Sequence, residues 1–218
     1  SGVDTFITSY GIAKNYSKQF GQSGVIVRVD GGATKLSTGA GYSNELLSVE
    51  EILKIGADGA VCMGFPGSQY EDASLGNLVK FISQADKWDI PLCAEMLPCN
   101  WDSNEWTKDR LIFVSRLAAE LGADLIKTQY TGDKESFKQL VEGCYRPVVV
   151  LGGPGNGSEK ALLQTIRDSL DAGGKGAAIG RSIWMHSDPA GYCRAISRLI
   201  HDDASVEEAM REFEVSPQ

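Results

Sequence analysis

Histidine is scarce in this 218-residue chain: only His186 and His201 occur, both near its C-terminal end. Neither is expected to meet a carboxylate cluster, which argues against a zinc site built on two or three imidazoles. Long apolar runs are missing too. None approaches the ~20 residues needed to cross a bilayer, and no signal peptide opens the chain. No basic stripe interrupts a net charge of -8, so nucleic-acid phosphates would be repelled over most of the surface. There is no C-x-x-C pair, and the G-x-G-x-x-G turn of dinucleotide-binding sheets is absent from the first βα turn. The five cysteines (Cys62, Cys93, Cys99, Cys144 and Cys193) are odd in number. Three lie in or beside apolar runs. They read as buried free thiols in a reducing, cytoplasmic compartment.

What is present is ordinary for a soluble globular protein, with 42% hydrophobic and 23% charged residues. Short apolar runs at Asp4–Thr8, Gly24–Val29, Gly59–Met63, Pro91–Met96, Leu125–Thr128, Pro147–Leu151 and Ala177–Ile179 lack polar alternation. Parallel strands covered on both faces have that character. Helices are signalled between them. Ser48-Val-Glu-Glu51 and Ser205-Val-Glu-Glu208 are capping boxes. Ser158 precedes an amphipathic segment ended by Gly173-Gly174, and Asp188-Pro189 places a cap before a first-turn proline. Leu75–Ala85, Arg110–Leu121 and Ser136–Glu142 carry apolar residues at helical spacing. Repeated βα units mean a parallel sheet. The spacing favours an α/β fold of the (β/α)₈ TIM-barrel type over a doubly wound open sheet. With no linker and no shift in composition, residues 1–218 read as one barrel domain.

Two stretches carry chemistry. "VVVLGGPGNGSEK" and "GAAIGRSIW" end successive strands in glycine-rich turns, at Gly152 and Gly153 and at Gly180 and Arg181. Backbone N–H groups freed of side chains can approach an anion, and barrels often hold a substrate phosphate at the loops after strands seven and eight. Plain tight turns would use the same glycines. In "GADLIKTQYTGD", Lys127 closes an apolar strand where a leucine would be routine. An unperturbed lysine, of pKa ~10.4, is neutral about once in 2,500 at pH 7. Burial and a nearby cation can make it a Schiff-base nucleophile. Alternatively, it snorkels to solvent or pairs with a carboxylate.

These three stretches, with "YGIAKNY" and "SVEEILKIGADGAV", resemble the archaeal-type class I fructose-bisphosphate aldolases of the deoxyribose-phosphate aldolase-like barrel group. The resemblance covers nearly the whole chain. It implies a (β/α)₈ lyase with Lys127 as the Schiff-base lysine. Gly152, Gly153, Gly180 and Arg181 would hold a sugar phosphate. It further implies a phosphorylated ketose as substrate (fructose 1,6-bisphosphate by default), no cofactor and no metal. Since the family is often oligomeric, it also suggests a homo-oligomer.

Three departures qualify that likeness. The family's first strand, ending in Asp-His-Gly, has no counterpart, leaving seven strands where closure needs eight. The barrel is therefore expected to be open or distorted between Asp4–Thr8 and Ala177–Ile179, unless another segment fills the gap. In "DIPLCAEMLPCNW", Leu97 stands where the family has its proton-transferring tyrosine, and Glu95 where it often has tryptophan. Alternation puts Glu95 and Leu97 on one strand face, beside the strand of Lys127. Glu95 is thus either a replacement acid/base or a plain ion-pair partner of the lysine. Leu151 replaces a serine and removes one hydroxyl donor. Transaldolase- or thiolase-like transfer on a phosphorylated keto-sugar, or a non-catalytic sugar-phosphate-binding relic, are the alternative functions.

Overall fold

The computed structural model describes residues 2–31, 44–99, 101–152 and 157–213. Strand and helix alternate along them. β1 (Thr5–Thr8) precedes α1 (Tyr10–Asn15), and β2 (Gly24–Arg28) is followed by the short β3 (Asp30–Gly31), β4 (Asn44–Glu45) and α2 (Val49–Leu53). Four βα units come next. They are β5 (Gly59–Gly64) with α3 (Glu71–Asp86), β6 (Leu92–Met96) with α4 (Lys108–Leu121), β7 (Leu125–Thr128) with α5 (Lys134–Gly143), and β8 (Val148–Leu151) with α6 (Glu159–Asp171). β9 (Gly176–Ala178), α7 (Arg181–Trp184), α8 (Pro189–His201) and α9 (Val206–Met210) complete the described chain.

Seven strands form one parallel sheet in the order β1-β2-β5-β6-β7-β8-β9. The order never reverses. A doubly wound sheet turns back at a switch point, so this winding is that of a barrel. Its curl is nearly complete, with a seam where the strand count fell one short. Among the described residues β1 pairs only with β2, and β9 only with β8. A side-chain contact reaches from the last long helix to the start of β1, where His201 Nε2 lies 3.0 Å from Asp4 Oδ2. The antiparallel β3–β4 pair, two residues on each strand, was not foreseen. Pairs this short carry no usable periodicity.

The helix signals act as read. Ser48 and Ser205 both close capping boxes on Glu51 and Glu208. The Ser158 side chain accepts the Ala161 N–H, and Asp188 accepts that of Gly191 ahead of a helix with proline in its first turn. α4 ends at Gly122, whose φ of 107° suits a residue without a Cβ. That left-handed stop turns the chain at once into β7, which carries Lys127.

Two apolar clusters separate the faces of the sheet. The larger joins strand residues such as Val27, Cys62, Ala94, Ile126 and Val150 to the helices, through Leu78, Leu111, Phe137 and Leu163. A smaller one is built from Met63, Phe65 and Leu97, with Trp106 and Leu151 packed against it. Strand alternation puts it on the opposite, inner face, near the C-terminal strand ends. Among the described residues no helix is long and apolar enough to cross a membrane.

Candidate active site

β2 sets the first part of the site. In "VIVRVDGG", Val27 and Val29 are fully buried in the outer core, so Arg28 and Asp30 turn to the inner face. β5, β6 and β7 run beside it with Met63 opposite Glu95 and Glu95 opposite Lys127. Catalytic groups in barrels sit at this end of the strands.

The four charged side chains form a chain. Lys127 Nζ donates to Glu95 Oε1 at 2.9 Å. The other carboxylate oxygen, Oε2, accepts from Arg28 Nη2. Arg28 Nη1 reaches Asp30 Oδ1 at 3.2 Å, and Asp30 Oδ2 accepts the Met63 N–H at 3.0 Å. The Lys127 and Glu95 side chains are only 12% and 8% exposed. Two cations and two carboxylates alternate, so each buried charge faces an opposite one, as a low-dielectric site requires.

That pairing fixes the protonation of the carboxylate. Burial pushes the Glu95 carboxyl up, but Lys127 and Arg28 together outweigh it and hold the group below its usual range. Burial likewise disfavours the Arg28 cation, and Glu95 and Asp30 reverse that, leaving it raised. Glu95 therefore rests as a carboxylate, ready to accept a proton rather than to give one. Cys93, two residues before Glu95 on the same strand, is driven by burial up to about 12. It stays a thiol, and all five cysteines are free.

The placement of Glu95 beside Lys127 matches what alternation implied. Arg28 and Asp30 were missed, although their signal was present: charged residues two apart in an otherwise apolar strand. Leu97, 1% exposed, packs with Met63 and Phe65 and presents no proton-transfer group. Each histidine, read in the sequence as remote from carboxylates, in fact meets one, His186 facing Glu159 and His201 facing Asp4.

Both glycine turns lie at the same end of the barrel. Gly152 follows β8 directly, and Gly180 caps α7 just beyond β9, on neighbouring strands with Leu151 opposite Ala178. Gly153 lies outside the described residues. Arg181 is exposed at the start of α7. A Cβ on Gly180 would come within 2.8 Å of the tip of the exposed Trp184 ring, which would have to move aside.

The comparisons with known proteins agree with this architecture. The profile described as "DeoC/LacD family aldolase" matches residues 1–186. The chain belongs to that family. It is 34% identical to an uncharacterized aldolase of Saccharolobus solfataricus, over 78% of this chain and 65% of the relative, so it spans just under two thirds of that protein. It is 33% identical to a 2-amino-3,7-dideoxy-D-threo-hept-6-ulosonate synthase of Halobacterium salinarum, over 96% of this chain and 78% of the relative. Identity is 31% to a class 1 fructose-bisphosphate aldolase of Thermoproteus tenax, over 96% and 80% respectively. A crystal structure of an archaeal fructose 1,6-bisphosphate aldolase superimposes with a TM-score of 0.84 at 32% identity, covering 91% of this chain and 79% of that one. The fold is that of the class I aldolases, as the sequence motifs implied.

Proposed function

We propose that this chain is a metal-independent class I aldolase that cleaves or forms a carbon–carbon bond in a phosphorylated ketose through an imine on Lys127. One observation carries the reading: an amine at the end of a barrel strand lies 2.9 Å from a buried carboxylate that a second cation holds ionised. Lys127 attacks the ketone carbon, and loss of water leaves an iminium. Removal of the proton from the hydroxyl two carbons away breaks the intervening carbon–carbon bond, releasing an aldehyde. The bonding pair moves to the iminium and forms an enamine. Protonation and hydrolysis return the amine. Glu95 Oε1 is within hydrogen-bond reach of Lys127 Nζ, so it stands beside the atoms that an imine on Lys127 would hold. Glu95 is also the candidate base for the hydroxyl, since Leu97 has no proton to exchange. Fructose 1,6-bisphosphate is the first substrate to test, given the relatives' names.

Trapping decides the chemistry. Borohydride added with a phosphorylated ketose should leave a reduced adduct on Lys127, located by peptide mapping, and Lys127→Met should abolish it. An adduct elsewhere, or none above the variant's background, rejects the imine.

Gly152, Gly153, Gly180 and Arg181 are proposed to hold the substrate phosphate. If so, Arg181→Ala removes a contact shared by ground and transition states. KM should rise ~10- to 100-fold, the size of one charge-assisted hydrogen bond, with kcat little changed. A large fall in kcat at constant KM would contradict that role.

Two other readings remain specific. The likeness to a heptulosonate synthase supports transfer of the enamine to an acceptor other than the departing aldehyde, as in transaldolase-type chemistry. Burial of Leu97 in an apolar cluster, with no proton-transfer group at that position, supports a sugar-phosphate-binding relic. The relic would trap a ketose on Lys127 and show no turnover. A transferase would turn over only with its acceptor present.

A further inference from the structure

Among the described residues, two buried side-chain polar atoms have no hydrogen-bond partner: Gln129 Oε1 and Arg146 Nε. The second belongs to a guanidinium that has Asp124 beside it, 3.7 Å away. The first has no such account, and its position in the barrel is suggestive. Gln129 follows Lys127 by two residues, so alternation continues the inner face of β7 to it. The pairings of Glu95 with Lys127 and of Lys127 with Val149, extended by two residues, bring Leu97 and Leu151 level with Gln129 on either side. Both leucines belong to or pack against the inner apolar cluster. Strand register therefore puts the Gln129 carboxamide one layer above the Lys127–Glu95 pair, level with two leucines, and its buried oxygen has no protein partner.

Leaving a buried acceptor unpaired is costly, and replacing it with an apolar group of the same shape would remove that cost. We propose that Gln129 is a specificity-determining residue whose carboxamide hydrogen-bonds a substrate hydroxyl as the sugar chain passes from Lys127 toward the barrel mouth. This inference rests on the aldolase reading for the identity of its ligand. A hydroxyl both donates and accepts, so it satisfies the amide in either orientation. The flanking leucines offer no polar group, so of these three side chains Gln129 alone can tell a polyhydroxylated chain from a deoxygenated one. A site built to bond a hydroxyl rejects the analogue lacking it, because its own polar group stays unpaired.

The test uses hexitol 1,6-bisphosphate, which carries the hydroxyls but no carbonyl and so binds without forming an imine. Its affinity for wild type, Gln129→Met and Gln129→Leu is measured by calorimetry, with that of its monodeoxy analogues. The expected result is a 3- to 12-fold loss of hexitol bisphosphate affinity in both variants, the worth of one neutral hydrogen bond. One monodeoxy analogue should bind all three proteins equally. Melting temperature should be unchanged or higher in at least one variant, since an unpaired acceptor has gone. The inference is overturned by equal losses for every analogue, by no loss, by no binding to wild type, or by melting lowered more than about 2 °C in both variants. Borohydride trapping on Lys127 reports separately on the imine. Trapping without hydroxyl discrimination sinks the Gln129 role alone, while discrimination without trapping sinks the imine and leaves Gln129 in place.

Discussion

Glu95→Gln should leave borohydride trapping on Lys127 intact and slow carbon–carbon cleavage by ~10²-fold or more, the usual worth of a positioned acid/base group. The substitution keeps the shape of the side chain and an oxygen that can accept from Arg28, and it removes the proton acceptor. Two cations hold Glu95 ionised, so in the proposed mechanism it would act as a base at neutral pH, and a carboxamide cannot fill that role. If Glu95 only pairs with the lysine, the outcome inverts: the amine is released, trapping speeds up, and cleavage is not impaired. Leu97→Tyr probes the same question from the neighbouring position. A gain in cleavage would mean that the site lacks only a hydroxyl, whereas no change would fit a site that already runs on Glu95. Single-turnover cleavage and trapping rates, measured side by side on the three proteins, separate these cases.

The order of strands and helices was legible in the sequence because it rests on local rules. Apolar runs without polar alternation fixed the seven strands to within a residue or two, and the serine and aspartate caps fixed helix starts through contacts three residues away. The Glu95–Lys127 neighbourhood followed from adjacency of consecutive strands and a period of two. Other features depend on contacts distant in sequence. Arg28 meets Glu95 across 67 residues, and that reach comes from barrel curvature, which periodicity does not encode. Asp30 is harder to read, because Asp-Gly-Gly has the form of a turn. Gln129 looked like any polar residue leaving a strand. Its unpaired oxygen becomes visible only in the folded barrel.

Arg28 is where stability and chemistry meet, and Arg28→Met should cost about 3–5 kcal/mol, the range for removing one member of a buried charged set. The guanidinium serves two carboxylates at once, one of them the Asp30 side chain, 1% exposed. Methionine keeps much of the volume, takes the guanidinium away from Asp30 and leaves Glu95 paired with Lys127. For a chain of this length that loss corresponds to a melting temperature lower by about 6–20 °C. Its pH dependence has a definite sign. Glu95 is depressed in the folded protein, so it contributes stability above its ordinary value of 4.5 and loses it as pH falls through the folded value. Removing Arg28 takes away part of that depression. The gap between wild type and variant should therefore be widest near neutrality and narrow in acid. Adding Glu95→Gln to Arg28→Met should cost less than the sum of the two single changes, because the second removes the charge that the first left half-compensated. A coupling of ~1–3 kcal/mol is expected between side chains in such contact. Thermal denaturation of the four proteins between pH 4 and 8 measures all of this. A drop under about 2 °C for Arg28→Met, or strict additivity with Glu95→Gln, would mean that water takes the place of the guanidinium and that the four charges are not one unit.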